Sequence, residues 1–249
     1  MSSLRTLFIA LLSTSLAVAQ EEGKQKPAAA PTDAVEVLKK ADAATKAVKA
    51  VSYDVESAAN GMGGRTRVEG SVVLSGIVGR MPEKFRIDAK LMGAGSDEAR
   101  RVIIAADGEN YYLLDEKTKT LHKDIDPSVL GRAGQALQAL LMIEFVHASP
   151  FSDEINGAKQ ERRGDKKIGD EDCHEIYVEY GAAGQGQTAV WYFSKKDFLP
   201  RAVKRGRVGA ESAALEMTLS KLVADPKLDQ AKFKLEAPEG YTTSDEPAP

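Results

Sequence analysis

Apolar and polar positions change period repeatedly along the chain. Residues 7–18 form one apolar block (LFIALLSTSLAV), preceded by Arg5 and closed by the small-x-small triplet Ala17-Val18-Ala19. A basic start, a short apolar stretch and such a triplet predict a secretory signal peptide over residues 1–19, cleaved before Gln20. The competing reading is a short buried helix. No Cys follows the block, so nothing there can carry a lipid. Residues 20–31 (QEEGKQKPAAAP) are charged, then Pro- and Ala-rich, with no apolar period. They predict a flexible linker. From there Val35, Leu38, Ala41, Thr45 and Val48 recur at spacings of three and four, with Lys39, Lys40, Asp42 and Lys46 on the other side. This predicts an amphipathic helix over about residues 33–49 with Thr32 as its N-cap.

The period then becomes two. Tyr53 and Val55 alternate with Asp54 and Glu56, and Val68, Val72 and Leu74 oppose Glu69, Ser71 and Ser75. In residues 84–91, Phe85, Ile87, Ala89 and Leu91 point one way and Lys84, Arg86, Asp88 and Lys90 the other. Strands divided in this manner have one face in a core and one in water, the antiparallel pattern. Asp107-Gly108 separates two further runs, 101–106 and 110–115, as a hairpin turn does. The sequence DEKT at 115–118 turns the chain again into 119–123. Later runs at 173–180, 188–193, 199–207, 214–223 and 232–237 follow the same rule. Between the two sets, residues 128–147 read as a helix, with Gly131 and Gly134 as candidate breaks in its first half. From 139 to 146 (ALLMIEFV) Glu144 is the one polar residue, and a helix apolar on nearly all sides is covered on nearly all sides. Roughly ten or eleven strands, mostly adjacent in sequence, predict a mainly β (α+β) domain over residues 32–241. Its sheet is antiparallel and highly curved, an incomplete barrel with helices over the concave face, and residues 242–249 form a polar tail.

Composition narrows the function classes. The 249 residues are 43% hydrophobic and 29% charged, proportions of a globular chain. A net charge of −3 gives no global reason to bind nucleic acid. The apolar block is too short to span a bilayer, so the mature chain is read as without a transmembrane segment; with the signal peptide it is read as exported and soluble, and it is expected to be a monomer. One Cys excludes an internal disulfide framework or a Cys-based zinc site. Cys173 and His174 are neighbours on a strand and so point to opposite faces, which argues against a joint metal site. The parity of Cys173 places it with Glu175 and Glu179 and predicts partial exposure. Its acidic surroundings argue against a reactive thiolate. No phosphate-binding loop, nucleophile elbow or zinc-protease motif occurs in a fitting context. The chain is therefore read as non-enzymatic, with no cofactor and no metal.

Five segments together resemble the LolA/LolB-like superfamily of periplasmic lipoprotein carriers: VKAVSY (48–53), VGRMPEKFR (78–86), ADGENYY (106–112), the hairpin over 191–201, and DQAKFKLEAPEGY (229–241). The resemblance covers nearly all of residues 32–241 and points to a divergent member. It implies a half-barrel whose lidded apolar cavity takes the acyl chains of a lipid or lipoprotein in the periplasm. An alternative role of the same fold is a protein-interaction or sensor module of the envelope that carries no lipid and binds an envelope protein. Leu137, Leu140, Leu141, Met142 and Phe145 are the candidate lid, and Phe85, Ile87, Leu215, Met217 and Leu219 the candidate wall. Taken residue by residue, ordinary core packing is the stronger explanation of each of these positions. Arg80 corresponds to the family's latch arginine, with Met81 inserted between it and Pro82.

Overall fold

Alternation of side chains, carried into backbone pairing, builds one 12-stranded sheet. The computed structural model describes residues 33–61, 64–92, 99–133, 139–181, 184 and 186–248, so the signal peptide and linker expected from the sequence lie outside the described residues. A first meander comprises β1 (Ala50–Gly61), β2 (Gly64–Ser75), β3 (Lys84–Met92), β4 (Ala99–Asp107), β5 (Tyr111–Asp115) and β6 (Thr120–Asp124). A second comprises β7 (Lys159–Ile168), β8 (Glu171–Glu179), β9 (Gln187–Ser194), β10 (Pro200–Arg207) and β11 (Leu215–Ala224), and β12 (Thr242–Ser244) ends the chain. The order is β12-β6-β5-β4-β3-β2-β1-β11-β10-β9-β8-β7, so β1 and β11 zip the two meanders into an open, curved sheet. Every pairing is antiparallel except β12 on β6.

Register puts the apolar parity of every central strand on one face. Tyr53 lies opposite Val72, Val72 opposite Ile87, and Ile87 opposite Ile104. On the other half, Val55 faces Leu219, Met217 faces Val203, Val203 faces Trp191, and Trp191 faces Ile176. A slip of one residue anywhere would turn a whole strand's apolar set to water. This face shares a core with α1 (Ala34–Ala47), through Val37, Leu38 and Ala41, and with Leu140, Met142, Phe145 and Phe151 of the inter-meander segment. Asp33, one residue after the expected cap, caps α1 by accepting from the Val35 N–H at 3.3 Å.

Residues 128–147 are not one helix. A 3-10 turn over Pro127–Ala133 breaks at Gly131 (φ 51°, ψ −141°), where a side chain would strike the Ala248 carbonyl. Residues 141 and 142 are not helical, Met142 being extended, and a second 3-10 turn covers Ile143–Val146. Tyr53 replaces the missing helical bonds. Its hydroxyl accepts from the Met142 N–H at 3.0 Å and donates to the Leu140 carbonyl at 3.4 Å, while its ring stacks on Phe145. Buried backbone groups need such partners wherever a helix does not supply them. Most of the apolar sequence is thus buried in an irregular segment, with Ile143 left 56% exposed. Among the described residues, α-helix is found in α1, at 139–140 and in the single turn α2 (Ser152–Ile155), whose last carbonyls accept from the Gln160 amide.

The two ends of the sheet also differ from the pattern reading. Edge strand β7 (KQERRGDKKI) has no apolar alternation to reveal it, and its charges discourage pairing with other molecules. Residues 232–237 do not pair. The Asp229 side chain accepts from the Ala231 N–H and starts a 3-10 turn over Gln230–Phe233 instead. Beyond it Leu235 packs with Tyr112, Leu114 and Leu121 on the reverse face. Residues 242–244, read as the start of a polar tail, run beside β6, and Ala248 is buried with its N–H donating to the Val129 carbonyl at 3.0 Å.

Candidate functional site

A cleft of about 810 Å³ opens where the second meander meets residues 141–156. Its apolar walls are Leu141, Met142 and Ile143 on one side and Val203, Leu215 and Met217 on the other. The β10–β11 register brings Val203 opposite Met217 and Arg205 opposite Leu215, so Arg205 stands on the same face as the apolar wall. A cation on a core-facing position needs a partner. Glu144 supplies it, with Oε1 2.6 Å from an Arg205 terminal nitrogen. Beneath, the guanidinium lies 5.1 Å from the centre of the Trp191 ring, a favourable cation–π placement. Trp191 in turn stacks on Phe193 and meets Phe151 edge-on.

A second acid completes the floor. Glu154 on α2 is buried and accepts a 2.6 Å hydrogen bond from the Tyr180 hydroxyl. Burial pushes the carboxyls of both Glu144 and Glu154 above the ordinary range, Arg205 opposing it at the first and the Tyr180 hydrogen bond at the second. The tyrosine hydroxyl is pushed up by the same burial. Asp153, His147, Asn156 and Gln187 line the mouth. The floor is thus polar and charged, and the walls are apolar and flexible.

The residues expected from the sequence divide. Leu141, Met142, Leu215 and Met217 line this cleft. Phe85, Ile87, Leu140, Phe145 and Leu219 are no more than 3% exposed and belong to the shared core. Leu137 lies outside the described residues. The Arg80 side chain is 71% exposed, 3.9 Å from Glu83, and does not line the cleft. Pattern reasoning missed Arg205, Glu154 and Tyr180. Their signals were an arginine at the parity of Val203 and a tyrosine ending the apolar face of β8.

Cys173 departs from its expected partial exposure. It is fully buried on the reverse face among Tyr192, Ala202, Ile168 and Val190. That patch is covered by neighbouring side chains, so strand parity alone misjudged it. Burial pushes the thiol up to about 11. With its thiolate fraction cut by about a hundredfold and no solvent access, alkylation by iodoacetamide at pH 8 is expected to be slower by at least that factor in the native protein than in urea. Comparable rates in the two states would place the thiol at the surface. His174, on the opposite face, is buried with its ring stacked on Phe198 and Nδ1 3.4 Å from Asp165 Oδ1. Among the described residues no cluster of His, Cys, Asp and Glu is placed to hold a metal ion.

Solved structures with this fold include MucB, which is 12% identical over 83% of this chain and 64% of MucB, with a TM-score of 0.52. The chain thus spans under two thirds of MucB. LprF from Mycobacterium bovis is 9% identical over 84% of this chain and 97% of its own, with a TM-score of 0.50. The complex of Pseudomonas aeruginosa MucA and MucB aligns at a TM-score of 0.48, with 10% identity over 82% of this chain and 62% of that one. At these identities the likeness is one of fold, and it is the LolA-like fold that the sequence motifs implied. No curated protein matches the sequence. Among the described residues no helix is long and apolar enough to cross a membrane. With its residues 34–243 matching the family model described as "Predicted periplasmic protein (DUF2092)", the chain belongs to that family, as a divergent member of the LolA-like fold.

Proposed function

We propose that this protein is an exported, non-enzymatic binding protein of the periplasm that holds an acyl chain of a lipid or lipoprotein in the cleft. The observation that carries this reading is the wall composition. Leu141, Met142, Ile143, Leu215 and Met217 enclose a space of about 810 Å³, within the range of ligand pockets. Methionines adapt to irregular apolar shapes, and each methylene withdrawn from water contributes about 0.8 kcal/mol. In this reading α1, α2 and residues 139–146 cover the concave face of the sheet, and the irregular segment held by Tyr53 is the part that shifts to admit a chain. The single thiol lies on the other face, away from the cleft.

Protein purified from its own envelope is expected to carry lipid-mass adducts in native mass spectra. The delipidated protein is expected to take up a fluorescent acyl probe, and Met217→Asp to lose that uptake while melting cooperatively. No adduct and no uptake would overturn the reading. One observation favours a second reading, a protein-interaction or sensor module: over β2–β5 the interior is filled by the protein's own side chains, Phe85, Ile87 and Leu140 among them. MucB, whose fold this chain shares, forms a complex with MucA. Reproducible cross-linking to one envelope protein, with the cleft free of lipid, would support that role.

A further inference from the structure

The floor of the cleft is rich in carboxyl groups, and one of their oxygens has no donor. Glu144 is 5% exposed. Its Oε1 is taken by Arg205, and its Oε2 is buried with no hydrogen-bond partner among the described residues. Glu154 shares the floor and the exposed Asp153 lines the mouth, so three carboxyl groups line a cleft that holds one guanidinium. Of the other lining groups, the Asn156 amide donates to the Ser152 carbonyl and the Gln187 amide stands at the mouth. The Tyr180 hydroxyl already donates to Glu154, and His147 Nδ1 lies 2.8 Å from the Ser149 carbonyl. A carboxylate oxygen buried without a donor has lost its water and gained nothing in return. An anionic headgroup would meet these carboxyl groups with Arg205 already engaged by Glu144.

Resting on the acyl-binding reading above, we propose that the cleft takes an amphiphile with a primary ammonium head, which donates to Glu144 Oε2 while its alkyl chain lies along Leu141, Met142, Leu215 and Met217. The group fits this floor for a specific reason. An ammonium carries three donors and no acceptor. It satisfies Glu144 Oε2, shares its remaining donors with the neighbouring carboxyl groups, and leaves the Arg205–Glu144 contact in place. Charge-assisted bonds of this kind are about twice as strong as neutral ones and are least screened where water is excluded.

Three twelve-carbon ligands test the proposal: dodecylammonium, dodecanol and dodecanoate. Each displaces the neutral probe N-phenyl-1-naphthylamine from the full-length protein at pH 7, below its micelle concentration. Dodecylammonium is expected to bind about tenfold more tightly than dodecanol, with dodecanoate weakest. Glu144→Gln is expected to bring the ratio of amine to alcohol affinity from about ten down to about one, whatever it does to the two affinities singly. Dodecanoate binding as tightly as the amine, or all three binding equally, overturns the ammonium assignment and leaves acyl binding standing. Failure of all three to bind overturns both. The ligand series on the unaltered protein decides the matter even where the variant does not fold.

Discussion

Trp191→Ala is expected to lower stability by about 3–5 kcal/mol, the range for removing a fully buried large aromatic side chain. Trp191 is fully buried and holds three partners at once. It lies 5.8 Å from Phe193 in a near-parallel stack and 5.1 Å from Phe151 edge-on, with Arg205 above its face. Well-placed aromatic pairs add roughly 0.5–1.5 kcal/mol each beyond area burial. Phe151 also ties this cluster to α1, because its N–H donates to the Asp42 carboxylate at 3.2 Å. In a domain of this size about 1 kcal/mol moves the melting temperature by about 2–4 °C. The variant should therefore melt about 6–20 °C below the parent by circular dichroism. Trp191→Phe keeps most of the contacts and is expected to recover more than half of that. A loss under about 2 kcal/mol for the alanine variant would mean that the cluster is not the keystone of the second meander. Because Arg205 rests on the indole, the alanine variant is also expected to weaken probe uptake at temperatures where it is still folded.

The same residues show how far the sequence could be read. Alternation alone located the central strands, because each buries one parity against a single core. The Asp107-Gly108 turn was legible for the same local reason. Edge strand β7 was not, since an edge needs no apolar face, and β12 was not, since its three residues pair only through the tertiary path of the chain after Asp229. Residues 139–146 misled for a different reason. Their apolarity reports that most of them are buried and does not report backbone conformation, and an irregular segment became possible through Tyr53, whose hydroxyl lies eighty-nine positions from Met142. The cleft was half legible. Leu141, Met142, Leu215 and Met217 follow from apolar pattern. Its charged floor is a pair of exceptions, Glu144 in an apolar run and Arg205 at a core parity, and only the fold shows that the exceptions meet.

Arg205→Ala is expected to cost about 3–5 kcal/mol at neutral pH, because it leaves Glu144 buried without its counter-ion. The size of the loss should depend on pH in a way that simple loss of packing would not. Burial already lifts the Glu144 carboxyl above its ordinary value of 4.5, with Arg205 acting against that lift. Removing the guanidinium raises it further. A carboxyl whose pKa is higher in the folded than in the unfolded chain binds more protons in the folded state, so stability falls as pH rises from the unfolded value to the folded one. The deficit of the variant should therefore be small near pH 4.5, grow above it, and level off once the folded carboxyl has ionised. Urea unfolding of both proteins from pH 4.5 to 8 reads this directly. A deficit constant across that range would assign the loss to the Arg205 side chain's packing on Trp191 instead. Pairing the substitution with Glu144→Gln removes the uncompensated charge, so the double variant should regain most of the neutral-pH stability and lose the slope. That outcome would separate what the ion pair contributes to the fold from what it contributes to the cleft: the double variant would stand as a stable protein whose cleft floor no longer distinguishes an ammonium from a hydroxyl head.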